Sequence, residues 1–179
     1  TALDTFGHKM LAGCGKVLEN YVQPFDTKFD FAIQQKILNC VQKGMAVPGF
    51  GDSLSVAIEN IQNKYDGVDV NYLNGVFGAN HDQDRIASSV NSLDKARQIA
   101  AVYMTLPGNP YIYYGEELGM YGSKPDEMIR TPFLWGDDST YNTSWEKDDQ
   151  NAETKGLAQQ MKDPDSMYSY YKTLIALRK

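Results

Sequence analysis

An α/β fold with a parallel sheet is what this 179-residue sequence predicts. Three observations carry the prediction. Short β-branched and aromatic runs alternate with stretches of helical periodicity. Glycine and proline mark the junctions between them. Polar residues able to do chemistry gather just past the predicted strand ends, which is the habit of a (β/α)8 barrel, whose active site lies at the C-terminal face of its strands.

Taken in order, residues 1–24 give a weak signal, because Gly7, Gly13 and Gly15 interrupt the apolar run Met10–Ala12; Lys16–Tyr21 reads as a short helix. After Pro24, Phe25, Phe29 and Phe31 alternate with polar partners as in a strand. Ala32, Ile33, Ile37, Leu38 and Val41 then recur at helical spacing, and Gly44 ends that helix. Gly49 and Gly51 flank a loop. Asp52 or Ser53 is a candidate N-cap for a second helix carrying Leu54, Ala57, Ile58 and Ile61 on one face. A turn at Gly67 leads to a strand over Val70–Phe77. A helix from Leu93 to Leu106 turns Ala96, Ile99, Ala100 and Tyr103 inward, and Pro107-Gly108-Asn109-Pro110 stops it. Tyr111–Tyr114 reads as a strand, residues 119–164 as a long polar loop, and Ser166–Arg178 as a helix gathering Met167, Tyr171, Leu174 and Ile175. An unstructured loop of that length is uncommon in a compact domain and usually functional.

Composition narrows the function classes. The formal net charge is -6 with scattered basic residues, whereas a phosphate-binding surface needs clustered Lys and Arg, so no nucleic-acid partner is expected. No run approaches the ~20 apolar residues of a membrane span, so no membrane partner is expected either. Thr1–Phe6 carry neither the basic nor the apolar part of a signal peptide. Cys14 and Cys40 stand among apolar neighbours with no CxxC or Cys/His grouping, and read as two buried thiols. No cofactor is called for.

The chemistry-bearing cluster is Asn80-His81-Asp82-Gln83-Asp84-Arg85, directly after a predicted strand. A carboxylate there projects into the mouth of a barrel, beside an imidazole able to bond a sugar hydroxyl; a capped turn at Asp82 or Asp84 is the structural alternative. The run fails as an EF-hand calcium loop, because Ile86 and Ala87 stand where a ligand and a glycine belong. Glu116 and Glu117 are neighbours and so point apart, which disfavours a shared substrate. Glu117 suits a structural role, on an Arg or on backbone amides. Asp148, Asp149 and Glu153 form either a loose calcium site or a solvated acidic loop.

These residues carry a resemblance to the alpha-amylase family of glycoside hydrolases (family 13). Phe77-Gly78-Ala79-Asn80-His81-Asp82 is similar to its F-x-x-N-H-D motif after the seventh barrel strand. Leu106–Met120 resembles the eighth strand and its flanks, Arg130-Thr131-Pro132-Phe133-Leu134-Trp135 the R-x-P-M-x-W that follows, and Ser166–Lys179 the closing helix. Phe25–Phe31 is similar to the sixth-strand stretch. The likeness implies a partial TIM (β/α)8 barrel, roughly its last three to four β/α units, spanning residues 1–179 with 1–20 poorly matched. It implies a retaining glycoside hydrolase acting on alpha-glucosidic bonds of starch-like glucans or maltooligosaccharides. In that scheme Asp82 is the third catalytic carboxylate, which steadies the oxocarbenium-like transition state. His81 binds a sugar hydroxyl, and Arg85 lines the glucose site.

Two parts of the family pattern are missing. The nucleophile motif G-F-R-x-D does not occur; Gly49-Phe50-Gly51-Asp52-Ser53 follows the sixth-strand match and has Ser where Asp is required. At the place of the acid Glu stands Met10-Leu11-Ala12-Gly13-Cys14. A whole barrel takes about 250 residues. The expectation is therefore a chain inactive by itself: one cut from a missing barrel half, one completed by self-association, or a degenerate relative. The alternative function is a non-catalytic glucan-binding or interaction module. Calcium belongs, if anywhere, to a full-length parent.

Overall fold

The computed structural model describes residues 27–43, 49–67, 72–136, 140–143 and 146–179. The expectations for Met10–Cys14, Lys16–Tyr21, Phe25, Gly44 and Val70 lie outside those residues. The chain is α/β and forms two compact units, Thr1–Phe77 with Leu106–Tyr111, and Gly78–Thr105 with Ile112–Lys179.

The first unit holds a parallel sheet in the order β1 (Thr27–Phe29), β2 (Leu73–Phe77), β3 (Asn109–Tyr111). Thr27 pairs with Leu73, and Gly75 with Asn109. All of β2 except Leu73 is buried, as befits a strand with neighbours on both sides. Phe29 packs on Phe77 and Tyr111 with ring centroids 4.9 and 4.8 Å apart. Such ring pairs add about 0.5–1.5 kcal/mol each beyond the area they bury.

Asp30 ends β1 and starts the helix α1 (Phe31–Gln42). Its Oδ1 accepts the Ile33 amide at 2.9 Å, its Oδ2 accepts Asn74 Nδ2 at 2.7 Å, and its own amide donates to Gly75 O at 2.8 Å. That cap is why Phe31, expected in the strand, opens the helix instead. Ile33, Ile37 and Val41 form the buried stripe that the spacing predicts. The helix α2 (Phe50–Asp66) begins before the expected Asp52 or Ser53. Gly49 takes the cap position at φ +73°, a left-handed conformation that glycine enters without strain, and Asp52 falls in the first turn, where a negative charge suits the helix dipole.

β3 also lies earlier than expected, at Asn109–Tyr111 rather than Tyr111–Tyr114. Pro110 stands opposite Val76, and a proline is tolerated there because β3 is the outer strand among the described residues, with no partner that needs its missing N–H.

In the second unit a short helix, α3 (Ile86–Val90), precedes α4 (Leu93–Thr105). The α4 face of Ala96, Ile99, Ala100 and Tyr103 is buried as its periodicity predicts. The residues expected as one long loop carry α5 (Asp126–Ile129), a 3-10 turn at Asp149–Asn151 and α6 (Leu157–Gln160). Buried side-chain amides order this stretch by satisfying backbone groups. Asn151 accepts the Tyr121 amide at 2.7 Å and donates to its carbonyl at 2.8 Å, while Gln160 donates to Leu118 O at 2.9 Å and accepts the Tyr168 amide at 3.1 Å. The last helix, α7 (Met167–Arg178), is capped by Ser166 and buries Met167, Tyr171 and Leu174. Ile175, expected beside them, is 40% exposed.

Gly75 sets the spacing of β1 and β2, since a Cβ there would stand 2.4 Å from Lys28 O, a backbone atom unable to turn aside. Gly75→Ala should therefore cost about 3 kcal/mol of stability, the upper end of the overpacking range, measured by chemical denaturation. A loss below ~0.5 kcal/mol would mean the strands separate freely.

Candidate functional site

The chain leaves β2 at Phe77 and reaches Asp82 through a turn built on Asn80. Asn80 is buried, and its Oδ1 accepts the Asp82 amide at 2.9 Å. This Asx turn presents the next two side chains outward: His81 and Asp82 are 57% and 48% exposed. Asp82 Oδ2 lies 3.4 Å from His81 Nε2, and Oδ1 lies 3.2 Å from Arg130 Nη2. Arg130 is anchored at two further points, with Nε donating to His81 O at 2.9 Å and Nη2 on Asp126 Oδ2 at 2.8 Å. Lys124 in turn bonds Asp126 and, with Arg130, holds its carboxyl below the usual carboxylate value. Exposed ion pairs add little stability, so this network orients side chains more than it stabilises the fold.

Arg85, expected to line a glucose site, is 1% exposed. Its guanidinium lies 4.9 and 4.8 Å from the ring centroids of Tyr113 and Tyr114, and Nη1 donates to Tyr114 O at 2.6 Å. The same two tyrosines reach outward: Tyr113 Oη donates to Ile129 O at 3.0 Å and Tyr114 Oη to Thr131 O at 2.8 Å. The residues on either side of Arg130 are thus clipped to rings that rest on Arg85. Desolvated cation–π contacts are worth about 2 kcal/mol, so Arg85 is a stiff footing for the site. Asp84 takes the structural alternative, its Oδ1 accepting the Lys124 amide at 2.7 Å.

Beneath the turn lies Glu116, fully buried. Its Oε1 accepts the Ala79 amide at 3.1 Å, and its Oε2 accepts Tyr103 Oη at 2.9 Å and Tyr171 Oη at 3.2 Å. Burial pushes the carboxyl up to about 8, outweighing the three hydrogen bonds that favour the anion. Both phenols are driven well above their usual value, by burial first and by the Glu116 charge next. Glu117 accepts the Gly115 amide at 2.8 Å and feels the Arg85 charge, the structural role expected of it.

Sequence reasoning brought out His81 and Asp82 but missed Arg130, Glu116 and the two tyrosines as parts of one site. Arg130 stands 48 residues from Asp82, and the only available signal was its place in a second matched motif. Among the described residues no group of three His, Cys, Asp or Glu is set to hold a metal. In the acidic loop Asp148 accepts Asn151 Nδ2 on both oxygens, and Asp149 pairs with Lys147 at 2.8 Å. A cavity of about 690 Å³ is lined by Ile112, Tyr114, Glu117 and the side of α7 that carries Tyr168, Tyr171 and Ile175, and Asp82 does not line it.

Comparison with known proteins identifies the relatives of this arrangement. A family model described as the alpha amylase catalytic domain matches residues 15–179. "Alpha-amylase 3" of Dictyoglomus thermophilum is 38% identical over 168 residues, covering 90% of this chain and 32% of that protein. A 4-alpha-glucanotransferase of Thermotoga maritima is 31% identical over 151 residues, covering 79% and 33%. The crystal structure of an alpha-amylase from H. orenii superposes with a TM-score of 0.79 at 34% identity, covering 92% of this chain and 34% of that one. The chain spans about a third of the length of these relatives.

The Glu116 carboxyl titrates near 4.5 when free and near 8 in the fold, so between those values the folded chain binds more protons than the unfolded one. Its contribution to stability is complete below about pH 4.5 and is lost as pH rises through 8. Glu116→Gln keeps one acceptor oxygen, puts an NH2 donor at the other position and cannot ionise. The thermal midpoint of the unaltered protein should fall relative to that of the variant between pH 5 and 8.5; parallel curves would contradict the buried, proton-holding state.

Proposed function

The chain belongs to the alpha-amylase catalytic-domain family, and we propose that it forms the Asp82-bearing part of an enzyme that hydrolyses alpha-glucosidic bonds in starch-like glucans or maltooligosaccharides. On this reading β1, β2 and β3 are the sixth, seventh and eighth strands of a (β/α)8 barrel, whose chemistry lies past the strand ends. The observation that carries the reading is the presentation of Asp82: a half-exposed carboxylate on a rigid turn just past a buried parallel strand, with an imidazole beside it.

In a retaining mechanism one carboxylate attacks the anomeric carbon and a second protonates the leaving oxygen. Asp82 is neither. Its negative charge faces the positive charge that develops on the sugar ring, and a fixed charge or dipole at a developing charge is worth about 3–4 kcal/mol on the scale of single deletions. His81, exposed on the same turn, donates or accepts a hydrogen bond at a sugar hydroxyl. Arg85 acts from below, fixing the rings that clip the Arg130 stretch. The attacking Asp and the acid Glu are absent from the motifs matched here, and we assign them to a part of the barrel that these 179 residues do not carry. The remaining walls of a sugar pocket around Asp82 come from the same source.

That missing pair also favours a second reading, a glucan-binding module without catalysis. The two separate in one assay of reducing-sugar release and maltooligosaccharide binding. Hydrolysis should be absent from these 179 residues alone and present in a protein that carries the whole barrel, where Asp82→Asn should lower it by about 10²–10³-fold or more. Activity unchanged in Asp82→Asn would remove Asp82 from the mechanism, and binding with no hydrolysis in the unaltered whole-barrel protein would select the module. His81→Ala should raise KM about tenfold, the loss of one hydrogen bond, with kcat less affected.

A further inference from the structure

We propose that Arg130 is the positioning residue of the site: its guanidinium, fixed at His81 O and Asp126, holds the Asp82 carboxylate in the orientation that faces the sugar. The inference rests on the glucan-hydrolase reading of Asp82.

Three donor–acceptor contacts define the arrangement. Arg130 Nε donates to His81 O at 2.9 Å, and Nη2 contacts Asp82 Oδ1 at 3.2 Å and Asp126 Oδ2 at 2.8 Å. Two of these acceptors are independent of Asp82, so the fork is already in place when the carboxylate meets it. Asp126 is itself held by Lys124, whose backbone amide is fixed to Asp84 Oδ1. Arg130 is also steadied along its backbone, since the carbonyls on either side of it accept Tyr113 Oη and Tyr114 Oη. On the far side of the carboxylate His81 Nε2 stands 3.4 Å from Oδ2. With Oδ1 on Arg130 and Oδ2 beside the imidazole, the Asp82 side chain stands between two groups that limit where it can turn.

The exposure of the group bears on what the contact is for. Arg130 is 40% exposed and Asp82 48%, so their pairing adds little to stability. A guanidinium spent on a weak, solvated pair is well explained by orientation. A planar fork with fixed donor directions can bridge three acceptors; an ammonium, a single point charge, cannot reproduce that geometry. Misplacing a reacting group by about 1 Å can cost on the order of 10²-fold in rate.

The test uses Arg130→Ala and Arg130→Lys in a protein that carries the whole barrel, with maltooligosaccharide as substrate. In Arg130→Ala kcat should fall about 10²-fold while KM stays within about threefold, because orientation, not sugar binding, is lost. Arg130→Lys should be nearly as slow. Full kcat in either variant would overturn the proposal, as would a loss confined to KM. If the unaltered protein hydrolyses glucan and Asp82→Asn does not, such a result sinks the Arg130 inference and leaves the function standing. If the unaltered protein does not hydrolyse glucan, the crystal structure of Arg130→Ala still decides the positioning: the Asp82 carboxylate should leave its place 3.4 Å from His81 Nε2, and an unmoved carboxylate overturns the proposal.

Discussion

A single buried carboxyl group, that of Glu116, joins the parts of the second unit. Through one oxygen it holds the amide of Ala79, at the root of the turn that presents His81 and Asp82. Through the other it accepts the phenols of Tyr103 on α4 and Tyr171 on α7. Leaving a carboxylate in such a place without a cation would cost several kcal/mol, so the fold keeps it as a neutral acid by raising its affinity for the proton. Removing it outright would leave the Ala79 amide and one of the two phenols without an acceptor, each a penalty of about 1–3 kcal/mol. The two long helices of this unit and the candidate site therefore share one polar centre.

Above that centre the construction passes from buried to solvated in steps. Arg85 and its two tyrosine rings are the inner layer, the backbone of Ile129–Thr131 the middle one, and Arg130 with Asp82 and His81 the surface. Rigidity comes from the inner contacts, where desolvation strengthens them, and accessibility from the outer ones, where water weakens them. The role proposed for Asp82 needs both properties. The arrangement supplies them from different residues, so Asp82 can stay exposed without being loose.

How much of this was legible in the sequence depended on range. The inner face of α4 and the stripe of α1 follow from residue spacing alone, and Asp82 follows from its place just beyond a strand. Local chemistry misled where two signals competed. The aromatic run Tyr111–Tyr114 reads as a strand, yet Tyr113 and Tyr114 serve Arg85, and the pairing segment is Asn109–Tyr111 with a proline in it. The polar stretch after residue 119 reads as loop because its order comes from Asn151 and Gln160 acting on distant backbone, which no periodicity records. The contacts of Glu116 and Arg130, though both residues were noted, escaped the sequence for the same reason: their partners lie 37 and 48 residues away. Ile175 was misjudged because hydrophobicity marks a residue that could be covered, not one that is.

On the proposed function, a glucan sits on the surface around Asp82. The most direct measurement is a crystal structure of the Asp82→Asn protein with maltotetraose. A glucose ring should lie within hydrogen-bond distance of His81 Nε2 and of the side chain at position 82, with Arg130 still anchored on Asp126. A sugar bound only on another face, with the turn at Asn80–Asp82 left bare, would contradict it.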